Sequence, residues 1–237
     1  MTRFGIVLPR RTASPEDLLD PARAAEEAGL DSVWVSDHLW GRDPDAPTFE
    51  AWTALTAVAA TTRRIGVGAL VLRATLRLPR VLAAMAATLS KVAPGRLVVG
   101  LGAGDVDNRA EDAASGYPTP PTTRRIEAVG ESMEALRRHA PGVRVWVGGT
   151  GDDLLALAAG ADGWNQWGRP EQFAEHRSRL VERCDPDRLP EISWAGLDPG
   201  PVMVRDLIGA GAEHIIVAVG ARTYRERIDA VARLRDT

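Results

Sequence analysis

Eight short apolar runs, each followed by a stretch with helical spacing, constrain this chain more than any other feature. The runs are Phe4 to Leu8, Ser32 to Ser36, Ile65 to Leu72, Leu97 to Leu101, Val143 to Gly148, Gly163 to Trp167, Ile192 to Leu197 and His214 to Val219. Runs of this length without polar alternation suit strands buried on both faces. Between them, Val81, Met85, Leu89 and Val92 share one helical face, as do Ile126, Val129, Met133 and Leu136, and later Tyr224, Ile228, Val231 and Leu234. Further helices are expected over residues 15–28, 50–61, 152–159, 170–183 and 201–209. Strand and helix alternate throughout, which calls for parallel strands joined by crossover helices. Eight such units in 237 residues predict a compact α/β TIM (β/α)8 barrel, at roughly 30 residues per unit, as a single domain over residues 1–237.

Local punctuation agrees with that frame. Ser14, Pro15 and Asp17 resemble a helix start, Gly29 a helix stop, and Pro79 suits a first helical turn. Pro21 fits less well: either the first helix kinks there or it begins with Asp20 as its cap. The least repeat-like stretch, Gly104 to Thr123, contains Gly116-Tyr117-Pro118-Thr119-Pro120-Pro121 and is expected to be a long loop after the fourth strand. Loops after strands lie over the active face of a barrel.

Composition removes several classes of function. A net charge of -3 argues against nucleic acid or a polybasic membrane patch as partner, and leaves small molecules. The single Cys184 cannot form an intramolecular disulfide, no apolar stretch is long enough to span a membrane, and the amino terminus has no signal-peptide pattern. A reducing cytoplasm is the expected compartment, with Cys184 an inert thiol. His38, His139, His176 and His214 show no paired metal-ligand spacing, so no metal is expected. His139 and His176 read as surface residues, and His214 begins the last strand at the stability face. Serine-hydrolase and nucleotide-triphosphatase motifs are absent.

The strand ends carry the candidate chemistry. The second ends Ser36-Asp37-His38-Leu39-Trp40, an imidazole beside a carboxylate and an indole, suited to acid-base work and to walling a flat ligand. The alternative is that His38 caps a loop and Trp40 plugs the rim. The fourth ends Gly100-Leu101-Gly102-Ala103-Gly104-Asp105, where glycines admit a ligand close to the backbone and Asp105 can reach inward. A dinucleotide fingerprint is not expected there, because a polar loop over Asp105 to Asp112 follows in place of a helix. The fifth ends Trp146-Val147-Gly148-Gly149-Thr150-Gly151 just before a helix, an arrangement that exposes amides to an anion such as phosphate, or is simply a tight turn. Asp152 and Asp153 weigh against the anion, since they already complement the helix dipole.

Six segments in order resemble the bacterial luciferase-like superfamily of flavin- and deazaflavin-dependent oxidoreductases, and within it the coenzyme F420-dependent branch. They are Ala24 to His38, Phe49 to Leu55, Arg64 to Gly68, Gly95 to Gly104, Val145 to Gly149 and Ala161 to Asn165. The resemblance implies a TIM barrel and a homodimer. It places Asp37, His38 and Trp40 around the reacting carbon of the substrate, and Asp105 where many relatives have glutamate. It implies that the cofactor ring rests on a bulge near Leu70 and Val71, often with a cis non-proline bond. It also implies a cofactor shell of Gly102, Gly104, Gly148, Gly149, Thr150 and Trp164, with the phosphate at the glycines after the fifth strand. Arg73, Arg77, Arg124 and Arg125 are candidates for the anionic tail, or else solvated surface. Relatives usually carry an insertion between the fourth helix and fifth strand that helps to roof the pocket. Here Arg138 to Val143 joins the two directly, so the expectation is a more open site, one closed by a neighbouring subunit, or a barrel that binds without catalysis.

Three functions are compatible with these residues. The first is an F420-dependent oxidoreductase passing hydride to or from a small organic molecule, with His38 handling the balancing proton. The second is a monooxygenase using reduced flavin mononucleotide (FMN) from a partner reductase. The third is a non-catalytic flavin-binding barrel.

Overall fold

The computed structural model describes residues 1–10, 14–39, 48–104 and 108–235. Among these, eight parallel strands close a barrel in sequence order: β1 (Arg3–Val7), β2 (Ser32–Val35), β3 (Gly66–Arg73), β4 (Leu97–Gly102), β5 (Arg144–Gly148), β6 (Gly163–Trp167), β7 (Glu191–Leu197) and β8 (His214–Ala218), which pairs back onto β1. Around them lie α1 (Glu16–Glu27), α2 (Ala51–Thr61), α3 (Pro79–Val92), α4 (Asn108–Ala114), α5 (Thr122–His139), α6 (Asp152–Ala158), α7 (Phe173–Val181), α8 (Pro201–Gly209) and α9 (Tyr224–Leu234). The eight strands and the eight helices read from periodicity are all present. None of the described helices is long and apolar enough to cross a membrane.

Local chemistry sets the boundaries. Ser14 and Asp17 exchange backbone-to-side-chain hydrogen bonds of 3.3 and 3.4 Å in a reciprocal cap, so α1 starts at Glu16 and runs through Pro21. Gly29 closes it with φ +73°. The stretch from Gly104 to Thr123 departs from expectation: it contains α4, a helix beginning at Asn108 where a loop was expected. Its buried residues are Asn108, Glu111 and Asp112. A helix that buries acids and an amide has no apolar stripe by which to be recognised.

The core has two layers. Most apolar side chains pack between strands and helices, while a smaller group, Val7, Trp34, Leu70, Val98, Trp146, Ala195 and Ile216, fills the lumen. Glycine makes room for the two lumen indoles: a Cβ at Gly68 would lie 2.5 Å from Trp34, and one at Gly163 2.3 Å from Trp146.

The floor of the lumen is polar and linked by hydrogen bonds and ion pairs. Glu191 pairs with Arg3, Arg144 and His214. Its carboxylate accepts from His214 Nδ1 at 2.9 Å, so the neutral imidazole must accept at Nε2, where the Ser32 hydroxyl donates across 2.8 Å. Ser32 Oγ in turn accepts from Trp34 Nε1 at 2.7 Å. Burial holds the His214 pKa below the usual histidine range despite the glutamate. Burial also opposes ionisation of Glu191, yet hydrogen bonds from His214 and Arg144 bring its pKa down to about 2.

The link from α5 to β5 is short, Ala140 to Val143. Helix-to-strand links lie at the floor, opposite the mouth where active sites form, and Arg144 at the start of β5 indeed joins the Glu191 cluster. The short link therefore lies away from the mouth.

Candidate functional site

At the mouth, the residues after β2 are locked by arginines from the end of β3 and just beyond it. Asp37 is buried. It accepts from the Arg73 backbone N–H at 2.9 Å and, through both oxygens, from the Arg77 guanidinium at 2.7 and 3.0 Å. Arg77 is shared with Glu50, which caps α2 by accepting from the Trp52 and Thr53 N–H groups at 3.0 and 2.8 Å. Both carboxylate oxygens of Asp37 are thus committed. Arg77, which sequence reading offered to the cofactor's tail, is consumed in this clamp.

His38 is only partly covered, its side chain 28% exposed, and its Nδ1 lies 3.5 Å from Glu111 Oε2. Glu111 is buried at 2%. It accepts from the Leu39 N–H and lies 3.2 Å from Arg73, which also reaches Asp112 at 2.6 Å. Burial comes first in pushing the His38 pKa below its usual range, Arg10 adds to it, and Glu111 pulls the other way. The imidazole is therefore neutral at neutral pH and can accept a proton. Glu111 was missed in the sequence because it sits in α4.

Beside this pair the wall of the barrel is irregular. The peptide bond between Leu70 and Val71 is cis, at the place the resemblance indicated, and the β3–β4 register shifts between Ala69 and Leu72. Val71 lies half-buried over the lumen cluster, with Ala218 likewise. A Cβ added at Gly102 or Gly148 would come within 2.3 or 2.7 Å of its methyls. Those two buried glycines, expected in the cofactor shell, leave space that Val71 fills. Their contribution is to seat an apolar shelf.

The fifth strand's glycine turn is held from behind. Gly149 has φ +125°, its N–H donates to the Asn165 carbonyl at 3.1 Å, and its own carbonyl accepts from Trp164 Nε1 at 2.7 Å. Trp164 is fully buried and stacks on Phe173 at 5.8 Å. It supports the turn and cannot itself touch a ligand, which corrects its assignment to the cofactor shell. Gly149 and Thr150 remain half-exposed. Gly104 has φ +69°, and its carbonyl and that of Ala103 accept from Arg125 at 2.8 and 3.0 Å. Arg124 is a surface residue paired with Glu131. Trp40 and Asp105 lie outside the described residues. His139 is exposed as expected, whereas His176, read as a surface residue, is half-buried and bonded to Gln166 at 2.9 Å. Among the described residues no group of acids, histidines and cysteine could hold a metal ion.

A closed parallel barrel with its polar cluster and shelf at the strand carboxyl ends is a TIM barrel with an enzyme-like mouth. The chain belongs to the luciferase-like monooxygenase family, whose model matches residues 2–185. It is 39% identical over 141 residues to the F420-dependent glucose-6-phosphate dehydrogenase of Amycolatopsis mediterranei (strain U-32), covering 58% of this chain and 41% of that protein. To the enzyme of the same description from Kineococcus radiotolerans it is 41% identical over 129 residues, covering 53% and 37%. The match thus spans about two fifths of the length of these relatives. Among solved structures, an F420-dependent secondary alcohol dehydrogenase in complex with an F420-acetone adduct superposes with a TM-score of 0.78 over 98% of each chain, at 18% identity. That likeness is one of fold.

Proposed function

We propose that the chain is an F420-dependent oxidoreductase that transfers hydride between the deazaflavin and a small organic substrate. The observation that carries this reading is the neutral, half-covered His38 against buried Glu111, at the same mouth as the Val71 shelf. The identity to relatives described as F420-dependent dehydrogenases supports it.

The residues fit such a cofactor. Val71 and Ala218 offer a half-buried apolar surface for a flat ring, with Leu70 beneath, while the Gly149-Thr150 turn and the Gly104 corner border it with backbone. Bound there, a deazaflavin supplies hydride chemistry alone, without oxygen activation. His38 takes the hydroxyl proton of an alcohol or returns one to a carbonyl, and Glu111 steadies the charge that then forms on the imidazole. Arg77 and Asp37 fix the backbone from which His38 projects. Trp40 and Asp105 join the site on the strength of the resemblance.

The proposal extends to a single domain over residues 1–237, a cytoplasmic setting and a homodimer. The dimer face is the groove between α2 and α3: α2 has no charged residue, and Thr56, Val81, Ala84, Thr88 and Val92 line the groove in a chain that is 26% charged. An uncharged patch is self-complementary across a two-fold axis. The deciding experiment is a fluorescence titration of the purified chain with F420 and, separately, FMN. Micromolar or tighter F420 binding with weaker FMN supports the proposal; preference for FMN moves the monooxygenase reading to first place, and binding of neither leaves a barrel with another task.

A further inference from the structure

The mouth holds a large apolar surface for which His38 and the Val71 shelf do not account. Trp167 is the last residue of β6. Gly163 on that strand packs against the Trp146 indole in the lumen, so the two-residue period of a strand puts Asn165 and Trp167 on the same inner face. Trp167 also pairs in register with the lumen residue Ala195. On the next strand, Leu197 ends β7 two residues beyond Ala195. Deeper in the lumen this face is buried, yet at the rim Trp167 is 53% exposed and Leu197 75% exposed.

Single exposed apolar residues are ordinary. Trp167 differs because the turn that follows it is braced. The Gly168 N–H donates to the Ala195 carbonyl at 2.7 Å, and Trp194 Nε1 donates to the Gly168 carbonyl at 3.0 Å. Buried Gln166 donates from its amide to the carbonyls of Gly168 and Arg169 at 3.0 and 2.7 Å, which leaves its oxygen to accept from His176 Nδ1 at 2.9 Å. Gly168 and Arg169 both have left-handed backbone, with φ +64° and +45°. A wall fixed in this way loses little freedom when a ligand covers it.

In the ring of eight, β6 stands opposite β2, so the wall faces His38 across the mouth. We propose that Trp167 and Leu197 form the substrate wall and that the site takes an aromatic alcohol or the corresponding carbonyl compound, an inference that rests on the deazaflavin reading above. In oxidation, the carbinol C–H and O–H bonds break and the C=O bond forms. The hydride pair goes to oxidised F420, reducing it by two electrons, and the proton goes to His38. The ring of the substrate stacks on the indole.

The test is calorimetric titration of the purified chain, with and without F420, using acetophenone and glucose 6-phosphate as probes. Acetophenone is expected to bind the wild type and to bind Trp167→Ala about tenfold more weakly. Trp167→Phe should recover most of the loss, with F420 affinity unchanged in both variants. Unchanged acetophenone affinity in Trp167→Ala, tighter binding of glucose 6-phosphate than of acetophenone, or loss of F420 affinity in Trp167→Ala overturns the wall. If the wild type fails to bind F420 while the acetophenone difference persists, the cofactor reading falls and the wall stands.

Discussion

Two histidines in this barrel each face a buried glutamate, at opposite ends of the structure. At the floor, His214 is enclosed, with Ser32 on one nitrogen and Glu191 on the other, so its tautomer is fixed and its ring has nowhere to send a proton. At the mouth, His38 touches Glu111 through one nitrogen and keeps more than a quarter of its side-chain surface open. Burial lowers both pKa values. The pair of residue types is the same, and access alone separates a brace from a candidate base. A perturbed histidine is thus not by itself a functional one.

The most forceful way to break this comparison is at the floor. Glu191→Gln is expected to cost about 3 kcal/mol in urea denaturation, because Arg3 and Arg144 lose the charge of the buried carboxylate that they share, while leaving F420 affinity intact. The same group sets an acid limit. The Glu191 pKa is depressed from 4.5 to about 2, so its stabilisation is complete above pH 4.5 and is lost as pH falls towards 2. The wild type should lose stability through that window and the variant should lose less, as followed by circular dichroism. At the mouth, His38→Ala should lower turnover by roughly 100-fold with little effect on folding stability or cofactor affinity; an unchanged rate removes His38 as base. Smaller effects sharpen the contrast. With the His38 pKa already below 6.5, the acid limb of kcat/KM should fall below that pH. Glu111→Gln, which removes an influence that raises this pKa, should move the limb to lower pH, and Arg10→Ala, which removes one that lowers it, should move it up. Limbs that stay put in both variants assign the profile to another group.

Much of the fold was legible because eight strands buried on both faces write uninterrupted apolar runs, and helices packed on one side write a 3.6-residue period. Helix α4 writes neither, since its inward residues are Asn108, Glu111 and Asp112, and the glutamate facing His38 was hidden with it. The tryptophans show a second limit. Trp34, Trp146, Trp164 and Trp167 all read as strand residues, but the first two fill the lumen, the third points outward onto Phe173, and the fourth stands open at the rim. Strand parity decides among these fates, and register with neighbouring strands is needed to set it. The glycines that end β4 are recognised in the sequence as a place of close approach, and those that end β5 as an anion site or a tight turn. Which group approaches, the Val71 side chain, follows only from the folded β3.

The indoles of Trp34 and Trp146 lie 4.8 Å apart with an interplanar angle of 36°. Chromophores so close couple their excited states, and a tilted pair rotates polarised light as a couplet of opposite-signed bands. The lumen therefore contains its own optical probe, distinct from the helical signal of the outer ring and free of any dye. As the barrel is heated or acidified, fading of that couplet reports the parting of the strands, while the peptide bands report the helices around them.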